Sequence, residues 1–173
     1  MSLKEIVLAG GCFWGVEKYF AAIKGVTHTD VGYANGVTAD PTYREVCTGN
    51  TGFAEAVRIQ YDNDIVTLPF LLEMYYQVID PTSQNKQGND VGTQYRTGIY
   101  YSDDSDLPAV QLSLAALQQR IGKPLAIEVQ PLQNYYLAEE YHQEYLGKNP
   151  GGYCHIPSSA FQRAAVATDP AVG

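Results

Sequence analysis

Apolar residues first gather in "EIVLAGG", a short run closed by glycines that reads as a buried strand. The spacing then changes. Phe13, Val16, Phe20 and Ile23 recur at helical intervals and Gly25 supplies a stop, which predicts a helix over Phe13 to Lys24. "YANG" carries an Asn-Gly turn signal, and "DPTYREVCTGNTG" reads as a polar, turn-rich loop. In "FAEAVRIQYD" the period drops to two, putting Glu55, Val57, Ile59 and Tyr61 on one face of a strand. Thr67 can cap a helix from Leu68 to Val78, and Ser105 one that runs to Ile121 with Gly122 as its stop. Between them lie the long loop "DPTSQNKQGNDVGTQ" and a strand in "YRTGIYYS". "PLAIEVQPL" alternates as a further strand, "AEEYHQEYLG" is a last short helix, and "NPGGYCHIPSS" with the Ala-rich end reads as irregular.

Strands and helices mix without strict alternation, so the pattern predicts an α+β, two-layer domain on a mixed sheet. A chain of 173 residues suits one domain; residues 1–157 are expected to form it, and 158–173 an irregular, mobile tail. The net charge of −8 argues against nucleic acid or an anionic membrane as partner. No run approaches the ~18 unbroken apolar residues of a membrane span, and "MSLKEIVLAGG" is too short in its apolar part for a secretory signal. The expected location is the cytoplasm and the expected state a monomer. The three cysteines, Cys12, Cys47 and Cys154, form no C-x-x-C pair, and in a reducing compartment a permanent disulfide is not expected.

Cys12 falls where the strand turns into the helix. A free thiol of pKa ~8.5 is only a few per cent ionised at neutral pH, and the partial positive charge of a helix N-terminus favours the thiolate. Flanking glycines permit close approach of a substrate. Cys12 is thus a candidate nucleophile, the alternative being a packing cysteine. Phe13 and Trp14 cannot both point inward, because adjacent helix positions diverge by about 100°; the outer ring can wall a small apolar pocket. Glu55 shares its face with apolar neighbours. If that face is buried, the carboxyl stays protonated and can give a proton to a leaving oxygen, a service worth roughly 10²–10⁴ in rate. Otherwise it ends a strand in solvent. Among the 14 tyrosines, two phenols beside such a carboxyl would make a neutral donor set around a polarised oxygen. Cys154, after "NPGGY", is either an idle exposed thiol or a resolving thiol for an oxidised Cys12. Glu139 and His142 have Glu-x-x-His spacing, but one such motif does not make a di-iron site, and a solvated helix face is expected.

"GGCFWGVE", "DPTYREVCTGNTGFAEAV" and "QGNDVGTQYRTGIYY" together resemble the peptide methionine sulfoxide reductase A family, over residues 5–156. The resemblance implies a two-layer α/β plait, ferredoxin-like, around a mixed sheet. It implies reduction of the S-epimer of methionine sulfoxide, free or in proteins, with no metal or organic cofactor and with thioredoxin as external reductant. By the same resemblance Cys12 is the catalytic cysteine, Glu55 the acid, and Phe13 and Trp14 the pocket for the sulfoxide's methyl group. Tyr43 and Tyr95 hold the oxygen, Asp90 belongs to their polar network, and Cys154 closes a recycling Cys12–Cys154 disulfide. Cys47 matches no assigned role. Phe53 stands where most members have histidine, and a second C-terminal cysteine common among relatives is absent. Two rival readings are a thiol peroxidase, disfavoured because peroxide needs no methyl pocket, and a non-catalytic binder of methionine peptides.

Overall fold

The computed structural model describes residues 2–172. Met1 and Gly173, the ends of the expected domain and tail, lie outside the described residues. Strand β1 (Leu3–Ala9) leads through two glycines into helix α1 (Phe13–Ala21). Then come β2 (Val26–Ala34), the short helix α2 (Tyr43–Cys47), β3 (Ala54–Asp62) and α3 (Leu68–Tyr76). A small hairpin of β4 (Lys86–Gln87) and β5 (Asp90–Val91) precedes β6 (Gly98–Tyr101), α4 (Leu107–Ile121), β7 (Glu128–Pro131) and β8 (Tyr135–Leu137). Helices α5 (Tyr145–Lys148) and α6 (Ser158–Val166) complete the order.

The fold is mixed α+β. Its main sheet has six strands in the order β7-β6-β1-β3-β2-β8. Every neighbouring pair is antiparallel except β6 with β7, which are parallel. Register follows the alternation read from sequence: Ile6 faces Ile59, Leu8 faces Val57 and Tyr33 faces Glu55. One sheet face carries Ile6, Leu8, Val31, Tyr33, Val57, Ile59 and Tyr61 against α1 and α3, and it forms the main core. The other carries Val7, Ala9, Ala34, Ala54, Ala56 and Tyr100, with Leu132 and Tyr135 packed over them. Four alanines make this second face shallow, and it carries the smaller of the two clusters. Among the described residues no helix is long and apolar enough to cross a membrane.

Several local expectations are corrected. Residues 158–166 are helical, not irregular: Ala160 and Ala164, one turn apart, present a small-residue stripe that is fully buried in the core. The loop beginning at Asp40 holds α2, made by a capping box in which Thr42 Oγ1 accepts from the Glu45 N–H and the Glu45 carboxylate accepts from the Thr42 N–H. Tyr135–Leu137, unassigned from sequence, joins the edge of β2. The single helix expected over "AEEYHQEYLG" is two pieces, a 3-10 turn at Glu140–His142 and then α5, broken at Glu144 by a left-handed backbone (φ 52°). Thr67 does stand at the N-cap of α3, but its hydroxyl donates to Asp169 Oδ2 instead of serving the helix.

Candidate active site

Cys12 is the N-cap residue of α1, as expected from the strand-to-helix junction. Gly11 adopts φ +84°, a turn that a side chain resists. The helix end does not free the thiolate, however. Burial pushes the Cys12 thiol well above its ordinary value, and the neighbouring Glu55 adds to the rise, outweighing the N–H of Trp14. The expected lowering is therefore corrected: Cys12 is only 6% exposed, and loss of water costs the anion more than one helix terminus returns.

Glu55 is wholly buried on the helix-facing side of β3. Its Oε1 accepts the Phe13 N–H at 3.3 Å, which fixes the carboxyl against the residue after Cys12, and its Oε2 has no hydrogen-bond partner among the described residues. Burial raises its pKa to about 8, with Asp90 adding and the Phe13 N–H opposing. At neutral pH the carboxyl thus carries a proton, and the unpartnered oxygen is free to hold it.

Phe13 and Trp14 diverge as helical geometry requires. Phe13 is buried in the core beside Tyr33 and Tyr43, with ring centroids 5.9 and 6.3 Å away. Trp14 is half-buried, stacks on Tyr145 at 3.8 Å and donates from Nε1 to His142 Nδ1 at 3.0 Å. Tyr43 opens α2 and Tyr95 ends the 3-10 turn Thr93–Tyr95. Burial holds both phenols protonated, and each feels Glu55 next. Asp90, on β5, accepts the Tyr153 hydroxyl at 3.1 Å. Cys154 is half-buried beside α1: a Cβ on Gly15 would stand 2.7 Å from its Sγ. All three cysteines are free. Cys12, Phe13, Trp14, Tyr43, Glu55, Asp90, Tyr95 and Cys154 thus gather around the start of α1. Cys47 is exposed, one turn after Tyr43 and beside its hydroxyl. Phe53 packs away on Gly36, where a Cβ would meet its ring at 2.2 Å, and edge-on to Tyr136.

Four further residues shape this wall. The Glu139 carboxylate accepts the Tyr33 hydroxyl at 2.7 Å and the Tyr43 N–H at 3.0 Å, so it sets where α2 begins. Burial opposes its charge, yet those two donors hold its pKa below the usual carboxylate value. His142, buried between Tyr43 and Trp14, is kept neutral chiefly by burial. Tyr145 backs the indole. The Glu-x-x-His spacing pointed at two of these four but suggested a solvated face. Among the described residues no group of His, Cys, Asp and Glu could hold a metal ion. A cavity of about 590 Å³ between the start of β2, Arg58 and Glu140–Glu144 contains none of the residues predicted for the site.

Fold and site define a class first: an α+β protein whose helix-capping thiol shares a wall with a buried carboxyl and two phenols. The family model described as peptide methionine sulfoxide reductase matches residues 4–170. The chain belongs to the peptide methionine sulfoxide reductase family. The peptide methionine sulfoxide reductase MsrA of Lachnoclostridium phytofermentans is 61% identical over 161 residues, which are 93% of this chain and 97% of that relative. Reduced Mxr1 from Saccharomyces cerevisiae has a TM-score of 0.85 at 38% identity, covering 90% of this chain and 92% of that one. Mxr1 in complex with Trx2 matches with a TM-score of 0.61 at 27% identity, over 83% and 85% of the two chains.

Proposed function

We propose that the chain reduces the S-epimer of methionine sulfoxide, free or in proteins, through Cys12. The observation that carries the reading is the buried, protonated Glu55 held by hydrogen bond to the backbone N–H next to Cys12. In the first half-reaction the Cys12 sulfur attacks the sulfoxide sulfur while Glu55 protonates the oxygen, with Tyr43 and Tyr95 donating to it. The bond between Cys12 and the substrate sulfur then breaks as the oxygen passes from that sulfur to Cys12, so the substrate's sulfur–oxygen bond is lost, methionine leaves and Cys12 becomes a sulfenic acid. The thiol proton of Cys12 replaces the one Glu55 gave, so no net proton is consumed. A raised thiol pKa suits this order, since Cys12 stays inert until Glu55 and the bound oxygen can share its proton. Phe13 and Trp14 receive the methyl group.

In the second half-reaction Cys154 attacks Cys12, expelling water and forming the Cys12–Cys154 disulfide. Thioredoxin returns both thiols by exchange, and no metal or organic cofactor takes part. The likeness to a yeast protein solved with Trx2 supports this partner. Three free cysteines support a reducing, cytoplasmic location, and a monomer with no nucleic-acid or membrane partner agrees with the net charge of −8. The order β6-β1-β3-β2, with α1 and α3 on one face, supports reading the central elements as a two-layer, ferredoxin-like plait.

A thioredoxin-coupled assay on each sulfoxide epimer tests the function. Turnover is expected on the S-epimer alone and none with Cys12→Ser, while Cys154→Ser should yield one equivalent of methionine and stop. Turnover by Cys12→Ser would overturn the nucleophile assignment, and sustained cycling by Cys154→Ser would remove Cys154 from the mechanism.

A further inference from the structure

The imidazole of His155 has no assigned task. Both of its ring nitrogens are sealed from solvent, and neither is in hydrogen-bonding geometry with any group among the described residues. A neutral ring carries one N–H and one bare nitrogen; the Gly10 carbonyl is the one backbone group that acts on it, so the bare nitrogen at least stands unused in a buried place, which is costly. The side chain lies between two glycines: a Cβ on Gly11 would lie 3.2 Å from the ring's Cε1, and one on Gly88 would lie 3.7 Å from the His155 Cβ. Cε1 is bonded to both nitrogens, so the whole polar edge of the ring sits against the residue preceding Cys12. The next residue back, Cys154, packs its sulfur on Gly15, one turn into α1. Cys154 and His155 therefore straddle the Cys12 helix start, and the two sulfurs sense each other's charge.

The closure of a disulfide from these partners has a proton problem. The Cys154 thiol must lose a proton, and burial makes that loss harder. The oxygen on Cys12 must gain one to depart as water. We propose that His155 is the proton carrier of the second half-reaction, taking the Cys154 thiol proton and delivering it to the oxygen that leaves Cys12. The sulfur–sulfur bond forms, the Cys12 sulfur–oxygen bond breaks, water departs, and the imidazole ends as it began. This rests on the roles given above to Cys12 and Cys154. Asp90 acts on the ring from β5, and the same carboxylate accepts the hydroxyl of Tyr153, which in turn senses both Cys12 and Cys154. Burial keeps the ring neutral against the pull of Asp90 and the Gly10 carbonyl, so it can accept at neutral pH.

The test mixes the full chain with methionine sulfoxide in the absence of thioredoxin, quenches at intervals with dimedone and an alkylating reagent, and counts Cys12 sulfenic acid and Cys12–Cys154 disulfide by mass. In His155→Phe and His155→Gln the interval between methionine release and disulfide formation should lengthen about 100-fold, and free imidazole should shorten it in His155→Ala. Disulfide formation at the wild-type rate in His155→Gln, which keeps a polar side chain of similar size but cannot shuttle a proton, overturns the proposal. So does a delay in His155→Ala that imidazole does not relieve. A wild-type protein that releases methionine yet never forms the disulfide overturns the cysteine assignments themselves, a different result from either.

Discussion

At residue 55 a full carboxyl is shut away from water, and the fold bears the consequence. The folded value is about 8 against an ordinary 4.5, so between those limits the folded state keeps a proton that the unfolded chain surrenders. Stability attributable to this group is therefore lost as pH rises through that window, by about 1.4 kcal/mol per unit and on the order of 5 kcal/mol in total. Glu55→Gln keeps the shape and cannot ionise. Its melting temperature relative to wild type should climb as pH goes from 5 to 8, by roughly 2–4 °C for each kcal/mol recovered. A difference that does not change with pH would mean that Glu55 is not protonated in the folded protein. The same substitution should slow methionine release in a single turnover by about 10²–10⁴, and the wild-type rate should fall above pH 8 as the acid is spent. The alternation of "FAEAVRIQYD" made this acid legible, because one carboxyl on an apolar strand face is either at an end or at work. The protonated state of Cys12 was not legible: a helix N-terminus is visible in sequence, whereas the burial that raises the thiol, and the charges of Glu55, Asp90 and Cys154 that add to it, come from distant parts of the chain.

Elements that announced themselves did so through long, regular periodicity. β1, α1, β3 and α4 were read close to their observed places because a buried face repeats several times along each. What escaped was short or dependent on a neighbour. β8 is three residues that form a strand only because the edge of β2 accepts them. α2 spans five residues whose Thr42–Glu45 box was present in the sequence but buried among turn formers. The segment carrying Glu139 and His142 is pinned by contacts no local pattern encodes: Gln143 pairs with both backbone groups of Val31, and Glu17 accepts the Glu144 N–H. One element-level consequence concerns Gly15. Alanine favours a helix over glycine by about 0.5–1 kcal/mol, yet its methyl would sit 2.7 Å from Cys154 Sγ and 3.3 Å from Ile156 Cδ1. Gly15→Ala should thus displace the 154–156 segment from α1. Thiol titration after one turnover without thioredoxin should find the yield of disulfide per methionine at least about tenfold lower than in wild type; an equal yield would show that Cys154 does not need this seat.

Across the whole molecule the segment that follows Cys154 is tied to the same core that holds the site. Helix α6, expected as a loose tail, lays Ala160 and Ala164 into that core and sets Phe161 under the Lys18 ammonium, 4.6 Å from the ring centroid. Beyond it Asp169 reaches α3, where its Oδ2 accepts both the backbone N–H and the hydroxyl of Thr67 at 2.8 and 2.6 Å. A residue near the end of the chain therefore serves as the N-terminal cap that Thr67 does not supply for its own helix. Caps of this kind contribute about 0.5–2 kcal/mol, so Asp169→Ala should lower the melting temperature by roughly 1–8 °C. Burial works against the Asp169 charge, but the Thr67 donors and the Ala171 N–H hold its pKa below the ordinary carboxylate value. The sign is then opposite to that of Glu55: the stabilisation is present above the ordinary carboxylate pKa and is lost as pH falls through the depressed one. Wild type and Asp169→Ala should differ most near neutral pH and converge in acid, once the pH falls below the depressed Asp169 value. Coincident melting curves at pH 7 would show that the latch carries no weight and that α3 is held by its buried face alone.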